Sequence, residues 1–352
     1  MNRIRVLVVE DSLTVRKRLC EILGADPGFE VVGEAEDGKQ AIELCLALRP
    51  DVVTLDMMLP VMSGLAATEY IMAYCATPIL VVSSSINRGE LFKTYEALAA
   101  GAVEVMEKPK ADEPDGDWER RFTGMLGLVA RVKVITHPRA RLAPARNPAS
   151  ARVAPTAPGP AHPCRLIALG ASTGGPSAIV AVLRALPADY GLPVLVVVHI
   201  GEPFGAAFAE WLDGQTAHPV RMAQDGQALG GRGVVLAPPN RHLLARHGRL
   251  YLSDEPERHS CRPSVDVLFE SLAADHGPAV AACLLTGMGA DGARGLLAIR
   301  QAGGVTLAQD EASSVVYGMP REAALLGAAQ RVLPLSEIGP ALAALAPLGA
   351  RS

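Results

Sequence analysis

Short apolar segments alternate with amphipathic segments along most of this 352-residue chain. In the first 130 residues, five apolar runs of strand length are each followed by a segment with helical spacing of its apolar positions. The runs cover residues 4–9, 29–35, 52–55, 79–82 and 103–106. Strands that alternate with helices are typical of an α/β fold with a parallel sheet. We therefore predict a five-stranded, doubly wound parallel sheet over residues 1–130.

Polar side chains follow the carboxyl ends of four of these predicted strands. They are Glu10, Asp11, Asp56, Ser83 and Lys108. In parallel sheets of this kind, ligands bind beyond the carboxyl ends of the strands. Three carboxylates that meet at one edge repel each other unless a cation is present, and oxygen ligands suit Mg²⁺. The sequence thus predicts a Mg²⁺ site there, with a lysine and a hydroxyl able to bind a phosphoryl group.

A second strand, turn and helix begins at residue 166. The apolar run 166–169 leads into a loop of small residues that contains Ser172, and Pro176 opens an apolar-periodic helix. The spacing Gly170-x-Ser172-x-Gly174 fits the nucleophile elbow of acyl-transfer enzymes. A glycine-rich loop at this place is equally compatible with a phosphate cradle or a purely structural turn. The motif alone leaves these alternatives open.

Two further residues follow predicted strands of the second half. His199 comes after the β-branched run 194–198, and Asp291 lies in a glycine-rich loop after the run 280–285. A serine, a histidine and an aspartate on three strand-end loops supply a nucleophile, a base and a carboxylate that orients the base. A structural histidine and a helix-capping aspartate are the alternative interpretations. The spacing favours a domain over residues 164–352 that is also α/β, doubly wound and Rossmann-like.

The segment between the two halves has a different composition. Residues 137–163 contain seven prolines and four arginines among small residues. Such composition indicates a semi-rigid or disordered linker, and we assign it to residues 131–163.

Composition and charge exclude several classes of protein. With 49% hydrophobic residues and a formal net charge of −4, the chain is typical of globular proteins and shows no basic patch for nucleic acid. Its apolar runs are of strand length, so we expect no membrane insertion and a cytoplasmic location. Six cysteines without any C-x-x-C spacing indicate reduced thiols rather than a disulfide or zinc framework.

The sequence segments VVEDS, LDMMLP, VVSSS and MEKP in residues 1–130 resemble the response-regulator receiver family, which has a flavodoxin-like fold. The resemblance implies that Asp56 accepts a phosphoryl group from a sensor histidine kinase. It also implies that Glu10, Asp11 and Asp56 hold Mg²⁺, and that Ser83 and Lys108 respond to the phosphorylated state.

The second half carries GASTGGP, APPNRH, CRPSVDVLF, LLTGMGADGA and AQDEASSVVYGMPREA. Together with the receiver, this set resembles the chemotaxis protein-glutamate methylesterase and protein-glutamine glutaminase family. The resemblance implies Ser172 as nucleophile, His199 as base and Asp291 as its orienter, with backbone N–H groups of Thr173 and Met288 as the oxyanion hole. Implied substrates are methylated glutamates and glutamines of methyl-accepting chemotaxis receptors, with no cofactor for the ester chemistry.

Other classes of function make different predictions. A transcription factor with a receiver would need a helix-turn-helix and a basic recognition helix, which the alternating pattern of the second half does not provide. A nucleotide-binding output domain would use the loop around Ser172 as a phosphate cradle. The main alternative is a receiver-containing adaptor whose α/β output domain is not catalytic. In the enzyme hypothesis, the receiver blocks the cleft until Asp56 is phosphorylated.

Overall fold

A computed structural model of the protein describes residues 3–84, 88–109, 116–132, 134 and 163–346. The chain divides into two compact units, Met1–Val153 and Ala154–Ser352. Nearly all of the predicted linker, 131–163, lies outside the described residues. No helix among the described residues has the length and apolar character needed to cross a membrane.

The first unit contains a five-stranded parallel sheet in the order β2-β1-β3-β4-β5. Its strands are β1 (Ile4–Val9), β2 (Phe29–Ala35), β3 (Val52–Leu55), β4 (Ile79–Ser83) and β5 (Glu104–Glu107). Its helices are α1 (Leu13–Ala25), α2 (Gly38–Leu48), α3 (Gly64–Tyr74), α4 (Arg88–Ala100) and α5 (Asp117–Val129). The alternation of strands and helices confirms the predicted α/β fold of this half.

Local signals in the sequence explain several of these helix boundaries. Asp37 caps α2 by accepting hydrogen bonds from the backbone N–H groups of Lys39 and Gln40. Ser63 caps α3 in the same way, so the helix starts at Gly64 and the preceding residues form the loop after β3. A Cβ on Gly64 would lie 2.8 Å from the Met57 Cα, so only glycine allows this helix to begin so close to that loop.

The second unit contains a seven-stranded parallel sheet in the order β14-β13-β12-β6-β7-β9-β8. Its sheet strands are β6 (Leu166–Ala171), β7 (Pro193–Val198), β8 (Val220–Met222), β9 (Gly233–Leu236), β12 (Val280–Leu284), β13 (Val305–Gln309) and β14 (Arg331–Leu333). An antiparallel hairpin is formed by β10 (His242–Arg246) and β11 (Arg249–Ser253). The helices of the second unit are α6 (Gly175–Arg184), α7 (Glu202–Gln215), α8 (Val265–His276), α9 (Ala293–Gln301), α10 (Met319–Leu325) and α11 (Leu335–Ala343), with a 3₁₀ turn at Gly277–Ala279.

The strand order of the second unit creates a switch point beside β6. The chain runs from β6 to β7 and β9 on one side, and later from β12 to β13 and β14 on the other. Doubly wound sheets bind ligands at the carboxyl ends of the strands where the order reverses. The loops after β6 and β12 therefore flank the expected position of a site, as predicted for a Rossmann-like domain.

Close packing beneath these loops requires glycine at two positions. A Cβ on Gly170 would lie 3.0 Å from the Leu284 side chain, and one on Gly292 would lie 3.0 Å from the Val265 Cβ. Gly292 also has a φ of 87°, which side chains other than glycine rarely adopt. Val265, which is fully buried at the start of α8, thus packs directly against the loop after β12.

Candidate active site and phosphoacceptor site

Ser172 immediately follows β6, where the strand turns into α6. Its backbone N–H donates a hydrogen bond of 3.0 Å to the Thr286 carbonyl at the end of β12. Pro176 lies in the first turn of α6, where its missing N–H costs nothing. The small residues of the loop leave the serine partly exposed at the carboxyl edge of the sheet.

His199 lies at the same level on the neighbouring strand. Ala171 and Val198, the residues that precede Ser172 and His199, are register partners in the pairing of β6 with β7. The backbone N–H of His199 donates a hydrogen bond of 3.2 Å to the Ala171 carbonyl. The serine and the histidine therefore follow the same rung of the sheet, as the two apolar runs predicted.

Asp291 accepts a hydrogen bond of 2.9 Å from His199 Nε2. The carboxylate is 2% exposed and is also held by the first turn of α8, where Val265 N–H donates at 2.7 Å and Asp266 N–H at 3.1 Å. Burial raises the pKa of Asp291, but the hydrogen bonds from His199 and the Ser264 hydroxyl outweigh it and lower that pKa below its ordinary value. The group is thus an anion suited to fixing the imidazole.

The other imidazole nitrogen contacts a residue that the sequence did not single out. His199 Nδ1 lies 3.6 Å from Cys261 Sγ, and no hydrogen bond joins the Ser172 hydroxyl to His199 within the described residues. Burial lowers the pKa of His199, but its hydrogen bonds to Asp291 and Cys261 outweigh burial and raise that pKa to about 9. The structure brings the histidine and aspartate together and places the serine on the adjoining strand end.

Two backbone N–H groups near Ser172 are available as hydrogen-bond donors. Neither the Thr173 nor the Met288 N–H has an acceptor within the part of the chain that the structure describes. The loop that carries Met288 approaches the serine closely, since a Cβ on Gly287 would lie 2.7 Å from the Ser172 Cβ. Met288 itself is 51% exposed. Unpaired donors beside a serine are what an oxyanion hole needs.

Several contacts that organise this site were not predicted from the sequence. Ser264 precedes α8, and its position suggests a helix cap, but its hydroxyl donates to Asp291 Oδ1 at 2.7 Å. Gln309, buried at the end of β13, accepts from the Thr286 N–H at 2.8 Å and so fixes the loop beside Ser172. Ser264 lies in the segment CRPSVDVLF and Gln309 in AQDEASSVVYGMPREA. Both segments carry the family resemblance, and that resemblance was the sequence signal that could have pointed to these two residues. Arg262, in the first of these segments, donates to the carbonyls of Asp254 and Glu255.

The second site is at the carboxyl edge of the first sheet. Lys108 Nζ lies 2.8 Å from Glu10 Oε2 and 3.0 Å from Asp56 Oδ2. Burial raises the pKa of Glu10, which is 1% exposed, so an uncompensated charge there is costly. For Lys108, burial lowers the pKa, but the hydrogen bond to Glu10 and the charge of Asp56 outweigh it and raise that pKa. The Lys108 ammonium thus favours the charged form of Glu10, whereas burial and the neighbouring Asp56 charge oppose it and leave the pKa of Glu10 raised.

The donor set at this edge fits a hard divalent cation. Carboxylate oxygens of Glu10, Asp11 and Asp56 all lie within 4.8 Å of one another, and Asp11 is exposed to solvent. Oxygen donors at such spacing suit Mg²⁺. Ser83 is fully buried, and its hydroxyl is 3.4 Å from its neighbour's carbonyl, a long hydrogen bond.

Comparison with known proteins relates both halves of the chain to described families. Residues 6–114 match the response regulator receiver domain, and residues 167–342 match the CheB methylesterase. The chain is 45% identical over 339 residues to protein-glutamate methylesterase/protein-glutamine glutaminase 2 of Anaeromyxobacter dehalogenans, with 96% of each chain covered. It is 43% identical over 350 residues to protein-glutamate methylesterase/protein-glutamine glutaminase 4 of Geobacter metallireducens, with 97% of this chain and 99% of that one covered.

Among solved structures, the chain is similar to the CheB methylesterase catalytic domain of Thermotoga maritima. The alignment covers 52% of this chain and 98% of that one, at 32% identity and a TM-score of 0.49. The Anaeromyxobacter and Geobacter relatives cover 96% and 97% of this chain, and so match both of its halves. The chain therefore belongs to the protein-glutamate methylesterase/protein-glutamine glutaminase family, with a response regulator receiver domain ahead of its CheB methylesterase domain.

Proposed function

We propose that the C-terminal domain demethylates glutamate γ-methyl esters of methyl-accepting chemotaxis receptors, with Ser172 as nucleophile. The observation that carries this proposal is the 2.9 Å hydrogen bond between His199 and Asp291 at the strand end next to Ser172. Membership of the family supports the substrate class. The chemistry requires a base held in one tautomer beside a hydroxyl, and the Asp291 carboxylate supplies that constraint.

The reaction proceeds through an acyl-enzyme. Ser172 Oγ attacks the ester carbonyl carbon and its proton passes to His199 Nδ1, because Nε2–H is committed to Asp291. The N–H groups of Thr173 and Met288 bind the oxyanion, each contributing on the order of 3 kcal/mol to transition-state stabilisation. The imidazolium returns its proton to the leaving methoxide, and methanol departs. Water then attacks the acyl-enzyme by the same route and releases the glutamate.

Deamidation of glutamine follows the same steps with a different leaving group. The γ-amide presents the same acyl carbon to Ser172, and the imidazolium protonates the leaving nitrogen so that ammonia departs. In our proposal, neither ester hydrolysis nor deamidation uses a metal ion or an organic cofactor. The same acyl-enzyme and the same water attack yield glutamate in both cases.

The receiver controls this activity in our proposal. Asp56 accepts a phosphoryl group from a sensor histidine kinase, and Glu10, Asp11 and Asp56 would hold Mg²⁺, whose positive charge would favour phosphoryl transfer. Lys108 then exchanges its contact with the Asp56 carboxylate for the phosphoryl oxygens, and Ser83 responds to the same group. We propose that residues 131–163 link the receiver (1–130) to the methylesterase domain (164–352).

Methanol release from methylated receptor cytoplasmic fragments tests the proposal. Wild type is compared with Ser172→Ala and with Ser253→Ala, a serine on β11 whose hydroxyl accepts a hydrogen bond from the Glu255 N–H. We expect turnover in wild type and Ser253→Ala only, rising when a small phosphodonor and Mg²⁺ are added, with no rise in Asp56→Asn. Receptor binding without turnover in any of these proteins would favour a non-catalytic adaptor instead.

A further inference from the structure

A thiol, an imidazole and a carboxylate form a chain of contacts in the methylesterase domain. Cys261 Sγ lies 3.6 Å from His199 Nδ1, and His199 Nε2 donates to Asp291 Oδ2 at 2.9 Å. A cysteine paired with a histidine that a carboxylate orients is the arrangement in which a thiol becomes nucleophilic. Cys261 therefore meets the same base that the proposed mechanism gives to Ser172.

A short closed turn holds this thiol in place. The Cys261 N–H donates to the Arg258 carbonyl at 3.0 Å, and the Arg258 N–H donates to the Cys261 carbonyl at 3.1 Å. Between them, His259 and Ser260 adopt left-handed conformations, with φ of 54° and 57°, and both are exposed. The turn leaves Cys261 partly exposed while directing its sulfur to the imidazole.

The other five cysteines have different surroundings. Cys45, Cys75, Cys164 and Cys283 are buried. Cys20 is partly exposed like Cys261, but burial and the neighbouring Glu34 raise its pKa to about 11. The thiolate of Cys20 is therefore disfavoured, and thiol chemistry depends on the thiolate. Among the six cysteines, only Cys261 combines partial exposure with an imidazole partner.

We propose that Cys261 is a site of reversible S-thiolation, at which a low-molecular-weight disulfide modifies the thiol and stops ester hydrolysis. With the His199 imidazole in its neutral form, the Cys261 proton passes to Nδ1, and the thiolate attacks one sulfur of the disulfide. The disulfide bond breaks as the new mixed disulfide forms, and the other half leaves as a thiolate that takes up the proton. One disulfide is exchanged for another, so no separate oxidant is needed.

The expected effect on hydrolysis follows from the position of the adduct. This part of the inference rests on the proposed function, in which His199 Nδ1 accepts the Ser172 proton. The mixed disulfide places a bulky group at the sulfur 3.6 Å from that nitrogen. A blocked base cannot serve the serine, so the esterase stops, and a thiol reductant that removes the adduct restores it. The methylesterase would thereby respond to the thiol–disulfide balance around it as well as to phosphorylation.

Treatment of the full chain with glutathione disulfide tests this proposal. Wild type, Cys261→Ser and Cys20→Ser are each analysed by intact mass, by peptide mass and by methanol release, with every protein compared with its own untreated sample. We expect a single adduct on Cys261 in wild type and Cys20→Ser, with at least a tenfold loss of their activity. Dithiothreitol should remove the adduct and restore hydrolysis. Cys261→Ser should keep its own untreated rate.

Three results would overturn the proposal: no adduct on Cys261, an adduct without loss of activity, or an equal loss in Cys261→Ser. The mass readout is independent of ester hydrolysis, which separates this proposal from the proposed function. Should untreated wild type release no methanol, the esterase function fails. In that case the rate of Cys261 adduct formation in His199→Ala decides the modification site: slower labelling than in wild type supports it, and unchanged labelling refutes it.

Discussion

The Ser264 hydroxyl donates a hydrogen bond of 2.7 Å to Asp291 Oδ1. The backbone N–H of Ser264 in turn donates to His242 Nδ1 at 3.1 Å, and His242 Nε2 lies 3.1 Å from the Pro256 carbonyl. Because Nδ1 accepts and Nε2 donates, these contacts fix one neutral tautomer of the buried His242. A chain of hydrogen bonds therefore links the start of β10 to the carboxylate that orients His199.

Replacement of Ser264 by alanine should reduce turnover more than substrate affinity. The change removes one hydrogen bond to a buried anion, which contributes about 1.5–3 kcal/mol. We expect kcat to fall roughly tenfold or more, since each 1.4 kcal/mol on the barrier is one factor of ten. Steady-state kinetics of methanol release would measure kcat and KM separately.

Ser271→Ala provides the matched control on the same helix. The Ser271 hydroxyl donates to the Leu268 carbonyl and accepts from the Ala245 N–H, without contacting Asp291. This variant should lose stability while retaining its kcat. Equal kinetic losses in the two variants would contradict a specific role for the contact between Ser264 and Asp291.

The pH dependence of hydrolysis should reflect the raised pKa of His199. With a pKa of about 9, the imidazole is protonated at neutral pH and must lose that proton to act as a base. The rate should therefore rise as the pH increases towards 9. Cys261→Ala removes one of the two side-chain hydrogen bonds that raise this pKa, so its rate should rise at lower pH than that of wild type. Superimposable pH profiles of kcat/KM would contradict this assignment.

The same pKa shift predicts how stability changes with pH. A histidine whose pKa is higher in the folded than in the unfolded protein stabilises the fold fully below about pH 6.5. That contribution is lost as the pH rises through about 9. We expect urea unfolding of the methylesterase domain in the full chain to show this loss, and Asp291→Asn to diminish it.

Gly287→Ala should impair catalysis through the position of Ser172. The added Cβ would lie 2.7 Å from the Ser172 Cβ and 3.0 Å from the Ser172 nitrogen, so the serine or the Met288 loop must move. A displacement of about 1 Å near reacting atoms can cost roughly a hundredfold in rate. Gly214→Ala, in α7 with no neighbouring atom within 4 Å of the new Cβ, should leave the rate unchanged. Similar rates for Gly287→Ala and wild type would show that the loop has room to adjust.

Lys108→Met should destabilise the receiver by leaving two carboxylates uncompensated. Glu10 and Asp56 are nearly buried, and removing one partner of a buried ion pair costs about 3–5 kcal/mol. We expect a lower urea midpoint for the receiver transition of the full chain, measured by circular dichroism. Added Mg²⁺ should restore part of the loss by supplying positive charge at the same oxygens. A urea midpoint that changes neither in Lys108→Met nor on addition of Mg²⁺ would argue against a role of Lys108 in compensating the charges of Glu10 and Asp56.

Hydrophobic periodicity predicted the parallel sheets because buried parallel strands are continuous apolar runs, such as Val194 to Val198. It also predicted which polar residues follow those strands, since parallel strands end at a common edge. The short edge strands β8 and β14, three residues each, carry too few positions for a periodic signal. The hairpin of β10 and β11 turns at His247 and Gly248, with φ of 51° and 69°, and only the glycine indicates such a turn.

The contacts within the candidate active site were less predictable than the positions of its residues at the strand ends. That Ser264 bonds to Asp291 rather than capping its own helix depends on the packing of α8 beneath the loop after β12. The proximity of Cys261 to His199 joins residues far apart in the sequence through a turn of unusual backbone conformation. Long-range packing determines such contacts, and local sequence patterns report only short-range preferences.

The central position of β6 has a consequence for how the protein is made. This strand leaves the ribosome first among those of its domain, yet it pairs with β7 on one side and with the much later β12 on the other. A nascent chain therefore carries the serine long before the aspartate loop exists. Hydrolytic capacity should therefore appear only once the loop after β12 has been synthesised and has packed beside β6, well after the receiver and the serine loop have emerged.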